Sequence, residues 1–135
     1  MTDINKHRIH LVRILKDIYS DLELANWLGL KGGSALMFFY DLPRFSVDLD
    51  FNLINEEREK DVFEKVRGIL LKYGTIHDEA RKFFGLLLVL DYGSGERKLK
   101  VEISNRRFGD RYELKDLLGI KMKVMSAPDM LAHKL

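Results

Sequence analysis

Cysteine is absent from the 135-residue chain, which excludes a disulfide framework, thiolate zinc sites and thiol catalysis. Proline is scarce, with only Pro43 and Pro128. No apolar run approaches the ~20 residues that span a membrane. Met1 to Arg13 mixes Asp, Lys, His and Arg with isolated aliphatics, so it carries no signal-peptide core. A soluble, cytoplasmic protein without membrane partners is expected. Neither charge sign dominates, and the formal +2 is too small to indicate a nucleic-acid partner by overall field. The four histidines show no H-E-x-x-H or other paired spacing. Gly93-Ser94-Gly95 lacks the lysine and spacing of a P-loop, and no G-x-G-x-x-G follows a strand. Neither Ser34 nor Ser46 sits in a G-x-S-x-G elbow. What remains is an ordinary globular composition, 46% hydrophobic and 33% charged, of a length for one domain over residues 1–135.

Periodicity supplies the elements. Leu11, Ile14, Leu15, Ile18, Leu22 and Ala25 predict an amphipathic helix over about residues 4 to 26. Trp27 to Lys31 reads as a short strand breaking at Gly32-Gly33. Ser34 then stands as an N-cap candidate for a helix through Tyr40, stopped by Pro43. Arg44 to Asn52 alternates, with Val47, Leu49 and Phe51 on one face and Ser46, Asp48, Asp50 and Asn52 on the other. A charged amphipathic helix begins at Asn55 and ends near Tyr73-Gly74. Two strands are expected after it, Phe83 to Asp91 and Lys98 to Ser104, joined as a hairpin through Gly93-Ser94-Gly95, with Leu99, Val101 and Ile103 facing inward. Ile120 to Met125 is a further strand. Ser126-Ala127-Pro128-Asp129 starts a helix that reaches Leu135 without a C-cap.

The chemistry sits on the polar faces. Side chains two apart on a strand point the same way, so Asp48 and Asp50 present two carboxylates from Cα atoms about 6 to 7 Å apart. A pair of this kind can share Mg²⁺, which takes one or two carboxylates plus substrate phosphates. Glu102, opposite the face of Leu99, Val101 and Ile103, is the candidate third acid, with the rival role of a surface partner for Lys98 or Lys100. Gly32, Gly33 and Ser34 supply the complementary half. Glycine lets backbone approach an anion, and a following helix offers unpaired N–H groups at its positive end. Ser34 can also simply cap that helix. Arg106, Arg107 and Phe108 with Arg111 and Tyr112 could grip RNA through phosphates and stacking, or remain a solvated charge cluster.

Glycine-glycine-serine, a helix and Asp-x-Asp on a strand together resemble the polymerase-β-like nucleotidyltransferase superfamily. The longer strings Lys31-Gly32-Gly33-Ser34-Ala35-Leu36 and Arg44-Phe45-Ser46-Val47-Asp48-Leu49-Asp50-Phe51 resemble the AbiEii/AbiGii-type toxin family. Leu99-Lys100-Val101-Glu102-Ile103 is similar to that family's third-acid strand, and Ala132-His133-Lys134-Leu135 to the start of its next motif. The resemblance implies an α+β fold, a mixed β-sheet with helices packed on one face. It implies catalytic and metal-binding roles for Asp48, Asp50 and Glu102 with Mg²⁺ or Mn²⁺. Nucleotide binding would fall to Lys31, Gly32, Gly33, Ser34, Arg44, Ser46 and Lys134, Arg44 having the alternative role of locking its loop. The implied reaction moves a nucleoside monophosphate from an NTP to a hydroxyl of tRNA, another RNA or a protein, in a toxin paired with a cognate antitoxin or a phage-abortive system. The family's C-terminal helical part, with its Arg-x-x-x-Arg-Asp-x-x-Asp-like motif, is not expected within these residues. The alternative is a nucleotide- or partner-binding module of the same fold with impaired catalysis.

Overall fold

The computed structural model describes residues 4–40, 46–93, 98–105 and 110–134, the side chains of the last four of these excepted. Helix α1 (Ile4–Ser20) buries Leu11, Ile14, Leu15 and Ile18, the stripe that its periodicity predicts. The expected single helix is broken at Asp21, whose carboxylate accepts from the N–H groups of Glu23 and Leu24 and caps a separate α2 (Leu22–Trp27). An N-cap side chain satisfies donors that a continuous helix would bond internally, so it marks a restart. Strand β1 (Leu28–Lys31) runs directly into α3 (Gly32–Phe39).

After a segment outside the described residues, β2 (Leu49–Leu53) returns antiparallel to β1. The strand starts later than its alternation suggests, and Asp48 lies just ahead of it. Asn55 caps a short 3₁₀ turn (Glu56–Arg58) rather than beginning the helix itself, and α4 (Glu59–Leu70) follows. Then come β3 (Thr75–Lys82), β4 (Gly85–Asp91), β5 (Leu99–Ser104), β6 (Tyr112–Leu117), β7 (Ile120–Met125) and α5 (Ala127–Lys134). The expected strand from Phe83 instead begins at Gly85, because Phe83 and Phe84 form the turn between β3 and β4. The hairpin of β4 and β5 is present.

The sheet order is β3-β4-β5-β2-β1-β7-β6, with β2 parallel to β5 and β1 parallel to β7. A mixed α+β architecture is thus observed. Register places Leu30, Phe51, Ile103 and Leu86 in one row across four strands, and all are buried. Tyr19 of α1 meets Phe51 at 6.3 Å between ring centroids, which brings that helix onto the buried face. The Tyr19 hydroxyl donates to the carbonyls of Leu28 and Lys123, both at 3.1 Å, and ties β1 to β7. Burial raises its pKa. The next row, turned to the opposite face, is Lys31, Asp50, Glu102 and Leu87. That row carries the site.

Candidate active site

Antiparallel pairing sets Lys31 against Asp50, and parallel pairing sets Asp50 against Glu102. Neighbouring strands lie about 4.8 Å apart, so a lysine and two acids stand side by side on one face. They open into a cleft of about 720 Å³ whose lining includes Lys31, Gly32, Asp50, Lys82, Phe84 and Glu102. The Glu102 carboxylate lies 3.8 Å from Lys100 Nζ, the surface partnership read for it from sequence, while its backbone position is directly beside Asp50.

Asp50 is the electrostatic centre. Its pKa is pushed up from 3.8 to about 6, first by burial and then by the negative charges of Glu102 and Asp48, against the opposing pull of Lys31 and Lys100. Burial penalises the ionised form, and like charges reinforce that penalty. Among the described residues no three His, Cys, Asp or Glu side chains are drawn together tightly enough to hold a metal ion as they stand. The donor set nevertheless fits a divalent cation. The Asp50 carboxyl feels the negative charges of both Glu102 and Asp48, and hard cations take oxygen ligands of this kind. Asp48, Asp50 and Glu102 would hold it.

The glycine turn locks onto this acid cluster. Gly32 adopts φ +78°, a left-handed conformation that glycine alone enters without strain, and a Cβ there would stand 2.8 Å from Asp50 Oδ2. Ser34 proves not to be an N-cap. It lies inside α3, fully buried, and its hydroxyl donates to the Asp48 carbonyl, with Ser46 Oγ 3.1 Å away. Lys31 occupies the cap position without a side-chain cap bond. Ser34 therefore fastens the start of the helix to the backbone of the first aspartate. The N–H groups of the first helical turn remain oriented as an anion-binding end.

Residues 13–135 match the family model described as nucleotidyl transferase AbiEii toxin, type IV toxin–antitoxin system. The chain belongs to the AbiEii family. The structure is also similar to a Helicobacter pylori protein described as a nucleotidyltransferase, at 22% identity and TM-score 0.66, over 96% of this chain and 56% of that one. A second match, JHP933 from Helicobacter pylori, has the same identity and TM-score over 97% of this chain and 55% of that one. The chain thus spans little more than half the length of these structures. Both matches bear on fold. No curated protein matches significantly.

Of the residues singled out in this AbiEii chain, the structure brings together Lys31, Gly32, Asp50 and Glu102 around the cleft, while Gly33, Ser34 and Ser46 contact one another next to the Asp48 backbone. Arg44 and the side chain of Lys134 lie outside the described residues. Arg106, Arg107 and Phe108 do too. Tyr112, considered for stacking on RNA, instead covers Gly29, where a Cβ would meet its ring at 2.2 Å, and its hydroxyl accepts from Asn52 Nδ2 at 2.8 Å. The ring is spent on packing.

Sequence reading missed His7. It is fully buried on α1, and its Nε2 donates at 2.8 Å to the carbonyl of Val47, the residue before Asp48. Its Nδ1 is bonded to the Tyr92 hydroxyl, and His10 stacks on Tyr92 at 4.2 Å. Only its heptad-like place among Leu11, Ile14 and Ile18 could have flagged it. His7→Ala is expected to cost about 2–4 kcal/mol, because it opens a cavity and strands a buried carbonyl and hydroxyl. Urea unfolding with an unchanged slope and a lower midpoint would show it.

Proposed function

We propose that this chain transfers a nucleoside monophosphate from an NTP to an acceptor hydroxyl, with pyrophosphate leaving. The observation that carries the reading is the register of Lys31, Asp50 and Glu102 across three adjacent strands beside the Gly32-Gly33 turn. Mg²⁺, with Mn²⁺ as its substitute, is the expected cation. When bound it supplies charge neutralisation at the phosphoryl oxygens and lowers the pKa of the attacking hydroxyl. The chain's own residues do the positioning. The first-turn N–H groups of α3 and the Lys31 ammonium receive the β- and γ-phosphates, while Ser34 fixes their distance from Asp48. Glu102 sits on the far side of Asp50 from Lys31, where the acceptor hydroxyl must give up its proton. Ser46 precedes β2 beside the helix start, and Arg44 and Lys134 are assigned to the nucleotide by family likeness. The acceptor is tRNA or another RNA, with a protein hydroxyl as the other class, and the setting is the toxin side of a cytoplasmic pair with a cognate antitoxin.

Among the described residues no helix is long and apolar enough to cross a membrane. The second reading, a nucleotide- or partner-binding module without turnover, draws on the ion pair that turns Glu102 toward Lys100. Labelled NTPs incubated with purified protein, Mg²⁺ and cellular RNA test the first. Wild type is expected to transfer label and Asp48→Asn to lose it by on the order of 10³-fold. Equal transfer by the two sinks the catalytic assignment, and metal-dependent NTP binding with no transfer by wild type selects the module.

A further inference from the structure

The turn between β3 and β4 departs from what a tight hairpin turn requires. Such turns favour asparagine, aspartate and glycine, which tolerate the backbone and face water. Here the turn is Phe83-Phe84, with Phe83 87% and Phe84 53% exposed. The rings meet edge to face, 4.9 Å between centroids at 87°. Their backbone is held firmly. The Asn105 N–H donates to the Phe84 carbonyl at 3.0 Å, and Asn105 Nδ2 donates to the Phe83 carbonyl at 3.1 Å. Two large apolar rings are thus displayed to solvent on a pinned scaffold. Lys82 and Phe84 line the same cleft as Asp50 and Glu102.

Their place relative to the acids follows from the sheet. Lys31, Asp50, Glu102 and Leu87 form one row over β1, β2, β5 and β4, a span of about 14 Å. Phosphoryl transfer proceeds with attacking and leaving oxygens in line, on opposite sides of phosphorus. With pyrophosphate leaving at the glycine turn beside β1, the attacking hydroxyl arrives from the β4 side. Phe84 and Lys82 line the cleft on that side, with the Phe83 ring against Phe84. Aromatic faces stack with any nucleobase, and Lys82 beside them matches a backbone phosphate. A polypeptide acceptor gives no comparable reason for paired rings next to cations.

We propose that the Phe83–Phe84 turn is a stacking platform for a base of a single-stranded RNA acceptor, with Lys82 gripping an adjacent phosphate. The inference rests on the nucleotidyltransferase reading for the direction of attack. It is tested by anisotropy of a short fluorescein-labelled oligoadenylate titrated with the full chain in Mg²⁺ buffer. The double variant Phe83→Ala/Phe84→Ala is expected to weaken binding about tenfold or more, and Phe83→Tyr/Phe84→Tyr to restore it. Lys82→Ala should weaken binding and lower the salt slope by about one phosphate contact. Calorimetric affinity for NTP should stay the same in all of these. Unchanged oligonucleotide binding by the double alanine variant overturns the proposal, as does no binding by wild type. So does a loss confined to NTP, which would place the incoming base on the rings, or a loss confined to labelling of a protein acceptor. A wild type that binds RNA through the rings but transfers no label would refute the enzymatic reading alone.

Discussion

Asp50→Asn is expected to abolish nucleotidyl transfer and, in metal-free protein at neutral pH, to raise the melting temperature. The two effects have one cause. Burial and the charges of Glu102 and Asp48 hold the Asp50 carboxyl at a pKa of about 6 against an ordinary 3.8. The folded state therefore binds this proton more tightly than the unfolded chain does. Below about pH 4 the group is protonated in both states and contributes no penalty. As pH rises from about 4 to about 6 the unfolded chain ionises a carboxyl that the folded chain still holds protonated, so stability falls across that window and levels off above it. The full difference approaches 3 kcal/mol at 1.36 kcal/mol per unit, and partial solvent access reduces it to about 1–2 kcal/mol. Asparagine keeps the shape and removes the charge, so calorimetry should show a gain of about 3–8 °C at neutral pH. The gain should shrink toward pH 4. Added Mg²⁺ should narrow it from the other side, because a ligand that binds only the folded wild type stabilises it by mass action. Transfer should fall by on the order of 10³-fold, since the lost ligand acts where phosphoryl charge develops. A variant that is less stable than wild type in metal-free buffer at neutral pH would contradict the electrostatic account.

The strands that bury one face fully were legible in sequence, and the two that are largely exposed were not. Strands β2, β4, β5 and β7 carry Leu49, Phe51, Leu88, Val101 and Val124 at positions that alternate into the core. Strands β3 and β6, Thr-Ile-His-Asp-Glu-Ala-Arg-Lys and Tyr-Glu-Leu-Lys-Asp-Leu, are the two edges of the sheet and are largely exposed. Edge strands with charge on both faces resist pairing with other chains and for the same reason lack the period that identifies a strand. Their pairing is a tertiary consequence of β4 and β7. The break at Asp21 was readable in principle from a good N-cap residue, but the apolar stripe running on to Ala25 outweighed it.

Within the site, spacing alone placed Asp48 and Asp50 together and allowed Glu102 to join them; only the parallel pairing of β2 with β5 makes Asp50 and Glu102 direct neighbours. Ser34 illustrates the limit. Its position after two glycines suggested a cap, whereas the helix starts earlier and its hydroxyl serves the Asp48 carbonyl. A hydrogen bond between residues fourteen apart leaves no local trace. The same holds for His7, whose contact with Val47 spans forty positions. Residues that hold the acids in place are thus less visible in sequence than the acids themselves.

Gly32→Ala should show how tightly the phosphate half and the acid half are joined. At φ +78° an alanine pays a left-handed backbone penalty of about 1–2 kcal/mol, and its methyl would stand 2.8 Å from Asp50 Oδ2 and 3.2 Å from Asp50 Cβ. Neither strain nor contact is relieved without moving the turn or the carboxylate. Displacement on the scale of an ångström between reacting groups costs on the order of 10²-fold in rate. Transfer should drop by that factor with NTP affinity less affected, and stability should fall by about 1–3 kcal/mol. Gly33→Ala makes the comparison informative. Its methyl would meet only Ser46 side-chain atoms, Oγ at 3.0 Å and Cβ at 3.2 Å, and its backbone is not left-handed, so a rotation of the hydroxyl eases the closest approach. A milder loss is expected. Gly68→Ala, with open space around the new methyl in the last turn of α4, should gain up to about 1 kcal/mol and leave transfer unchanged. Should Gly32→Ala match Gly68→Ala in rate, the turn and Asp50 would be independent, and the site would not depend on their contact.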